Sequence, residues 1–334
     1  MTSSAIPPEF LHKLAPGYRE FVEANPPRLP PLHGIPWSSA LRQPPPGGPM
    51  DMGSEPPIPV GSQRTIDMGK YSVQVMVPDG DQPPAGWPVV LFLHPGGWVF
   101  GNAAMFNGLL SRLCTGAKCV VVSVDYRLAP EHPYPAALDD SWDSLLWLYN
   151  DGAQQLGIDP NRIALMGASA GANLAAVIAQ RASLSSPRIS LKLQVLLVPV
   201  IDTSFTAEDR SRWTPSMIEY ENNFSLPVPT MFWLRDKYLP NPEDWTRPEV
   251  SPNYQDNPTA FEGIPTTLVA VAELDSLRDE GVIYARQLEQ FGVPVTVKVL
   301  KGFTHMAIGA DRVCDAARAF REELIEFVQT NLRK

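Results

Sequence analysis

The chain has 334 residues, a formal net charge of -9, 44% apolar and 19% charged residues, which is the composition of a globular protein with a sizeable core. Its acidic balance, pI about 5.1, with Lys and Arg scattered rather than clustered, excludes a basic face for a phosphate backbone, so no nucleic-acid partner is expected. No run of about 18 apolar residues occurs and the start lacks a basic segment followed by an apolar one, so no membrane span is expected and a cytoplasmic location follows by default.

Residues 1–66 read as an N-terminal cap segment with a proline-rich linker. Within them, 8–24 is amphipathic, with Phe10, Leu11, Leu14, Tyr18 and Phe21 near helical spacing, and is expected to form a helix covering part of the main body. Pro26, Pro27, Pro30, Pro31, Pro36, Pro44, Pro45, Pro46, Pro49, Pro56, Pro57 and Pro59 follow; so dense a run is neither a central strand nor a continuous helix.

From Lys70 strands alternate with helical segments: SVQVMV, PVVLFLH and CVVVSVDY, a helix over 136–149, RIALMG, a helix over 170–183, and LQVLLVPV. After a long irregular stretch come TTLVAVA, a helix over 280–291, VTVKVL and a last helix over 312–331. The later strands are continuous apolar runs, as burial on both faces of a parallel sheet demands. The fold class is α/β, doubly wound, with core segments 67–201 and 251–334. Between Asp202 and Pro265 the alternation stops for roughly 60 residues, against an ordinary connection of about 2 to 6. That length, and its aromatics Phe205, Trp213, Tyr220, Phe224, Phe232, Trp233, Tyr238 and Trp245, predict a cap insertion over 202–250, built together with the N-terminal helix. The three cysteines, Cys114, Cys119 and Cys314, have no metal-ligand spacing and read as packing residues.

Gly167-Ala168-Ser169-Ala170-Gly171 directly follows an apolar strand and directly precedes a helical segment. A sharp strand-to-helix turn brings backbone close to backbone and needs nearly side-chain-free flanks. Ser169 is thereby the candidate nucleophile, at a helix N-terminus that favours negative charge. A serine needs a base. Of His12, His33, His94, His132 and His305, only His305 lies on a loop just beyond a late strand, at the carboxyl edge where a ligand crevice belongs. The acid that orients it comes from between serine and histidine; Asp275 is the candidate, with Asp202 and the helix-starting Asp279 as rivals. In His94-Pro95-Gly96-Gly97-Trp98 the glycines can aim N–H groups at an oxyanion, whereas Pro95 has none. The candidate oxyanion hole is Gly96, Gly97 and Ala170.

Together these residues resemble the hormone-sensitive-lipase-like esterases of the α/β-hydrolase superfamily, known for an HGG(G) motif and a GDSAG-type elbow. The resemblance spans about 89–305. It includes Asp125-Tyr126-Arg127-Leu128-Ala129-Pro130-Glu131-His132-Pro133-Tyr134-Pro135-Ala136, specific to that family, and is similar to its acid loop at Asp275-Ser276-Leu277-Arg278-Asp279-Glu280-Gly281 and its histidine loop at Gly302-Phe303-Thr304-His305. It implies a carboxylesterase using Ser169, Asp275 and His305. Two departures, Ala168 for the common Asp and Pro95 for a glycine, reshape the surroundings of the oxyanion.

The expected function is hydrolysis of short-chain or small apolar esters through an acyl-enzyme, with neither cofactor nor metal. The cap and proline-rich start resemble fungal esterases acting on secondary metabolites. Acyl transfer on the same triad is the alternative; a ligand receptor on this fold is a third reading, disfavoured by the presence of His305. The expected partner is a small-molecule ester, and a homodimer is compatible with the sequence.

Overall fold

The computed structural model describes residues 6, 8–26, 31–43 and 51–333. Its described strands are β1 (Ser62–Asp67), β2 (Ser72–Val77), β3 (Trp87–Leu93), β4 (Val120–Asp125), β5 (Ile158–Ala168), β6 (Leu193–Leu197), β7 (Thr267–Ala272) and β8 (Val295–Leu300). They form one sheet in the order β1-β2-β4-β3-β5-β6-β7-β8. The β1/β2 and β2/β4 pairs are antiparallel and every other pair is parallel.

The helices are α1 (Pro8–Leu11), α2 (Tyr18–Ala24), α3 (Asn107–Ala117), α4 (Ala136–Asn150), α5 (Gly152–Leu156), α6 (Ala170–Leu184), α7 (Pro215–Glu219), α8 (Val228–Tyr238), α9 (Thr259–Glu262), α10 (Arg278–Gln290) and α11 (Asp315–Arg333). Strand side chains alternate between faces. In β3, Val89, Leu91 and Leu93 enter one apolar cluster with Leu145 of α4, Ala175 of α6 and Tyr284 of α10. Val90 and Phe92 enter the other, with Leu110 of α3, Leu324 of α11 and Tyr18 of α2. Two cores share one sheet, so the central strands read as unbroken apolar runs.

The structure corrects the sequence reading in several places. The expected N-terminal helix is two short ones, because Pro16 and Gly17, the latter at φ 77°, interrupt it. Leu14 and Tyr18 are nevertheless buried. Strand β1, SQRTID, adds an edge to the sheet before the alternation begins: it is largely exposed, and its polar residues carry no alternation signal. Helix α3 fills the connection between β3 and β4. VTVKVL is an edge strand, with Val297 and Val299 exposed, rather than one buried on both faces. The stretch read as irregular holds α7 and α8; α7 begins with a cap, Thr214 Oγ1 accepting Met217 N–H at 3.2 Å, and Pro215 in its first turn. Pro27, Pro30, Pro44, Pro45, Pro46 and Pro49 lie outside the described residues.

All three cysteines are buried and unpaired. Burial pushes the Cys114 thiol up to about 12, and that of Cys119 well above its ordinary value, so neither is a thiolate near neutrality.

Candidate active site

Ser169 sits between β5 and α6 with φ 53° and ψ -119°, a backbone state that a non-glycine residue adopts only where its surroundings impose it. Its N–H donates to Leu197 O at 2.8 Å on β6, and its carbonyl accepts from Ala172 N–H and Asn173 N–H. The glycines flanking the turn answer to close approach. A Cβ on Gly167 would stand 2.1 Å from Gly171 O, and one on Gly171 would stand 2.0 Å from Leu93 O.

His305 follows β8 and Asp275 follows β7. Asp275 Oδ2 accepts from His305 Nδ1 at 2.7 Å, which leaves His305 Nε2 to accept the Ser169 hydroxyl at 2.9 Å. The three side chains thus form one hydrogen-bonded chain, and all three residues are buried. Asp275 Oδ1 also accepts Leu277 N–H at 3.2 Å. The loop ends are tied to each other, Leu274 N–H donating to Phe303 O at 2.8 Å.

The rival acids lie elsewhere. Asp202 accepts both the backbone N–H and the hydroxyl of Ser204, and a hydrogen bond from Asn253 Nδ2. Asp279 is inside the first turn of α10 rather than at its cap, paired with Arg278 and accepting Ser216 N–H. Neither bonds to His305.

Gly96 (φ 123°) and Gly97 (φ 61°) hold conformations closed to most side chains; a Cβ on Gly96 would meet Phe100 O at 2.2 Å. Ala170 is the first residue of α6, so its N–H has no intrahelical acceptor. His94 is fully buried, its Nδ1 2.8 Å from Pro95 O and its ring stacked on Tyr126 at 4.0 Å. Burial holds its imidazole down at about 4, so it stays neutral. His33 bonds to Thr230 of α8, and His132 is exposed at a loop.

Ser169 opens on two cavities. One, about 40 Å³, is walled by Gly97, Trp98, Val200, Phe205, Met231 and Leu234 among others. The other, about 100 Å³, includes Phe106, Leu109, Val198, Met306, Ile308 and His305. Sequence reasoning missed the residues that steady these loops. Asn223 Nδ2 donates to Leu274 O beside Asp275, Ser225 Oγ accepts Met306 N–H at 3.2 Å beside His305, and Tyr18 bonds through its hydroxyl to Thr304 Oγ1 at 3.0 Å. Asn223 and Ser225 lie outside any periodic segment, the apolar spacing around Tyr18 says nothing of its hydroxyl's partner, and only the fold brings them near.

Comparison with known proteins agrees with this architecture. Residues 90–308 match the family described as alpha/beta hydrolase fold. The chain is 40% identical over 251 residues to an AB hydrolase superfamily protein of Schizosaccharomyces pombe, covering 75% of this chain and 72% of that protein. It is 33% identical over 271 residues to the ethyl acetate hydrolase of Pseudomonas putida, covering 81% and 82% respectively. Among solved structures, EstE1, a thermophilic carboxylesterase cloned from a metagenomic library, matches with a TM-score of 0.74 and 34% identity over 82% of this chain and 90% of that one.

Proposed function

The chain belongs to the α/β-hydrolase family, in its hormone-sensitive-lipase-like branch, and is a carboxylesterase; on that premise we propose that it hydrolyses short-chain or small apolar esters through an acyl-enzyme on Ser169, with His305 as base and Asp275 as orienting acid. The observation that carries this reading is the Ser169–His305–Asp275 chain, at 2.9 and 2.7 Å, opening on two apolar cavities.

His305 Nε2 takes the Ser169 proton as Oγ attacks the ester carbonyl, while Asp275 holds the imidazole in the tautomer with Nδ1 protonated. Negative charge builds on the carbonyl oxygen, where the N–H groups of Gly96, Gly97 and Ala170 and the N-terminus of α6 stabilise it. The imidazolium returns its proton to the leaving alcohol. Water, deprotonated by the same nitrogen, then attacks the acyl-enzyme and releases the carboxylic acid. The smaller cavity, about 40 Å³, has room for about three water-sized groups, which supports a short group on one side of the ester. We read 202–250 as a cap closing this site together with the N-terminal segment. Supporting that division, Phe205, Met231 and Leu234 wall the smaller cavity and Trp233 packs on Trp37, ring centroids 6.1 Å apart.

Hydrolysis of p-nitrophenyl esters from acetate to palmitate tests this reading. Activity should peak at the short chains, and Ser169→Ala should lower the rate at least about 10³-fold. Near-full turnover by the variant would overturn the assignment.

A further inference from the structure

Immediately after β6 the chain makes a turn that both cavities use: Val198 walls the larger one and Val200 and Asp202 the smaller. Val198 has φ 41°, a genuine outlier for a β-branched residue, so this turn stores strain and must be held by its surroundings. Backbone partners hold its start, Val198 N–H donating to Ala270 O at 2.7 Å and Val200 N–H to Ser169 O at 3.4 Å. At its far end Ile201 N–H donates to Glu280 Oε1 at 2.7 Å. Glu280 belongs to the first turn of α10 and is only 3% exposed. Its other carboxyl oxygen is buried and lacks a partner among the described residues.

We propose that Glu280 is a positioning residue: as a neutral acid it clamps the strained 198–202 turn, and so sets the walls of both cavities beside Ser169. The proposal rests on the esterase reading of that site and adds to it a residue that touches neither substrate nor the hydrogen-bonded chain.

The charges around Glu280 argue for the neutral form. Asp202 faces it from the turn after β6 and Asp275 from the loop after β7. Asp202 has three hydrogen-bond donors and Asp275 has His305, whereas Glu280 has only the backbone N–H groups of Ile201 and, more weakly, Asp202, and an orphan oxygen. Burial with few donors and two further acids nearby favours the protonated form of Glu280. Burial pushes its carboxyl well above the ordinary 4.5, and Asp202 and Asp275 add to that push. A second anion beside Asp275 would also disturb the histidine it orients; a neutral acid does not.

Two variants separate acceptor from charge. Glu280→Gln keeps an oxygen for Ile201 N–H and should leave kcat and KM within about 3-fold of wild type. Glu280→Ala strands that buried N–H and should raise KM for p-nitrophenyl acetate about 10-fold, with kcat changed far less, because the turn shapes the cavities rather than the reacting groups. Equal damage from Gln and Ala would overturn the neutral clamp, as would a wild-type KM in Ala.

Thermal melting gives a second readout, independent of hydrolysis. A carboxyl raised on folding stabilises the protein fully below about pH 4.5, and that contribution declines as pH rises, because the unfolded chain releases a proton the native state retains. Glu280→Gln has no such proton. Its melting temperature relative to wild type should therefore rise between about pH 5 and pH 8; an unchanged or falling difference would overturn the proposal. An active Ser169→Ala protein would sink the esterase assignment without touching this melting result.

Discussion

Ser169 keeps its φ of 53° because four backbone hydrogen bonds hold it and because Gly167 and Gly171 remove side chains from the contacts on either side. The turn is a steric device first and a chemical one second. Gly171→Ala would drive a Cβ to 2.0 Å from Leu93 O, and the backbone shift that relieves it should lower kcat by about 100-fold in a protein that still folds; circular dichroism together with initial rates would check this. Asp275 does a different job. Asp275→Asn should preserve the fold and lower kcat by about 10³ to 10⁴, since the amide favours the wrong imidazole tautomer, and steady-state kinetics beside an unchanged melting curve would bear that out. The glycines and the serine are legible in the sequence because close approach restricts residue type within five consecutive positions. Glu280 and Asn223 are not, because their partners Ile201 and Leu274 are 79 and 51 residues away.

Elements outside the sheet hold the histidine loop in place. Ala15 N–H donates to Gly302 O at 3.0 Å and Tyr18 bonds to Thr304 at 3.0 Å, so the link between α1 and α2 and the first residue of α2 are clipped to the residues just before His305. Burial pushes the Tyr18 hydroxyl up to about 12, which keeps it protonated as a hydrogen-bonding group through the neutral range. Tyr18→Phe leaves Thr304 without this partner and should lower stability by about 1 kcal/mol and kcat by a few-fold; denaturant unfolding and rates on a short ester would measure both. The apolar spacing of the N-terminal segment shows that it packs on something. It does not show where, and Pro16 breaks the single helix that spacing suggested.

At the scale of the whole molecule, the sheet separates two apolar clusters that differ in the helices they bury. Leu145 and Leu324 lie fully buried on opposite sides. Each change to Ala should lower stability by about 2 to 5 kcal/mol, and because the sheet stands between the sites the double variant should match their sum within about 0.5 kcal/mol; calorimetry or denaturant titration would decide. The order of strands and helices was legible from residue 70 onward because buried parallel strands must be apolar on both faces, whereas the exposed edge strand β1 carries no such mark. By itself the sequence determined the α/β class, the tight turn around Ser169 and the loops on which Asp275 and His305 stand, because each depends on local pattern and close backbone approach. Only the tertiary structure decided that these side chains meet at hydrogen-bonding distance, that two cavities of unequal size flank Ser169, and which distant polar residues steady the loops. Those outcomes depend on contacts between residues far apart in the chain, which no local periodicity encodes.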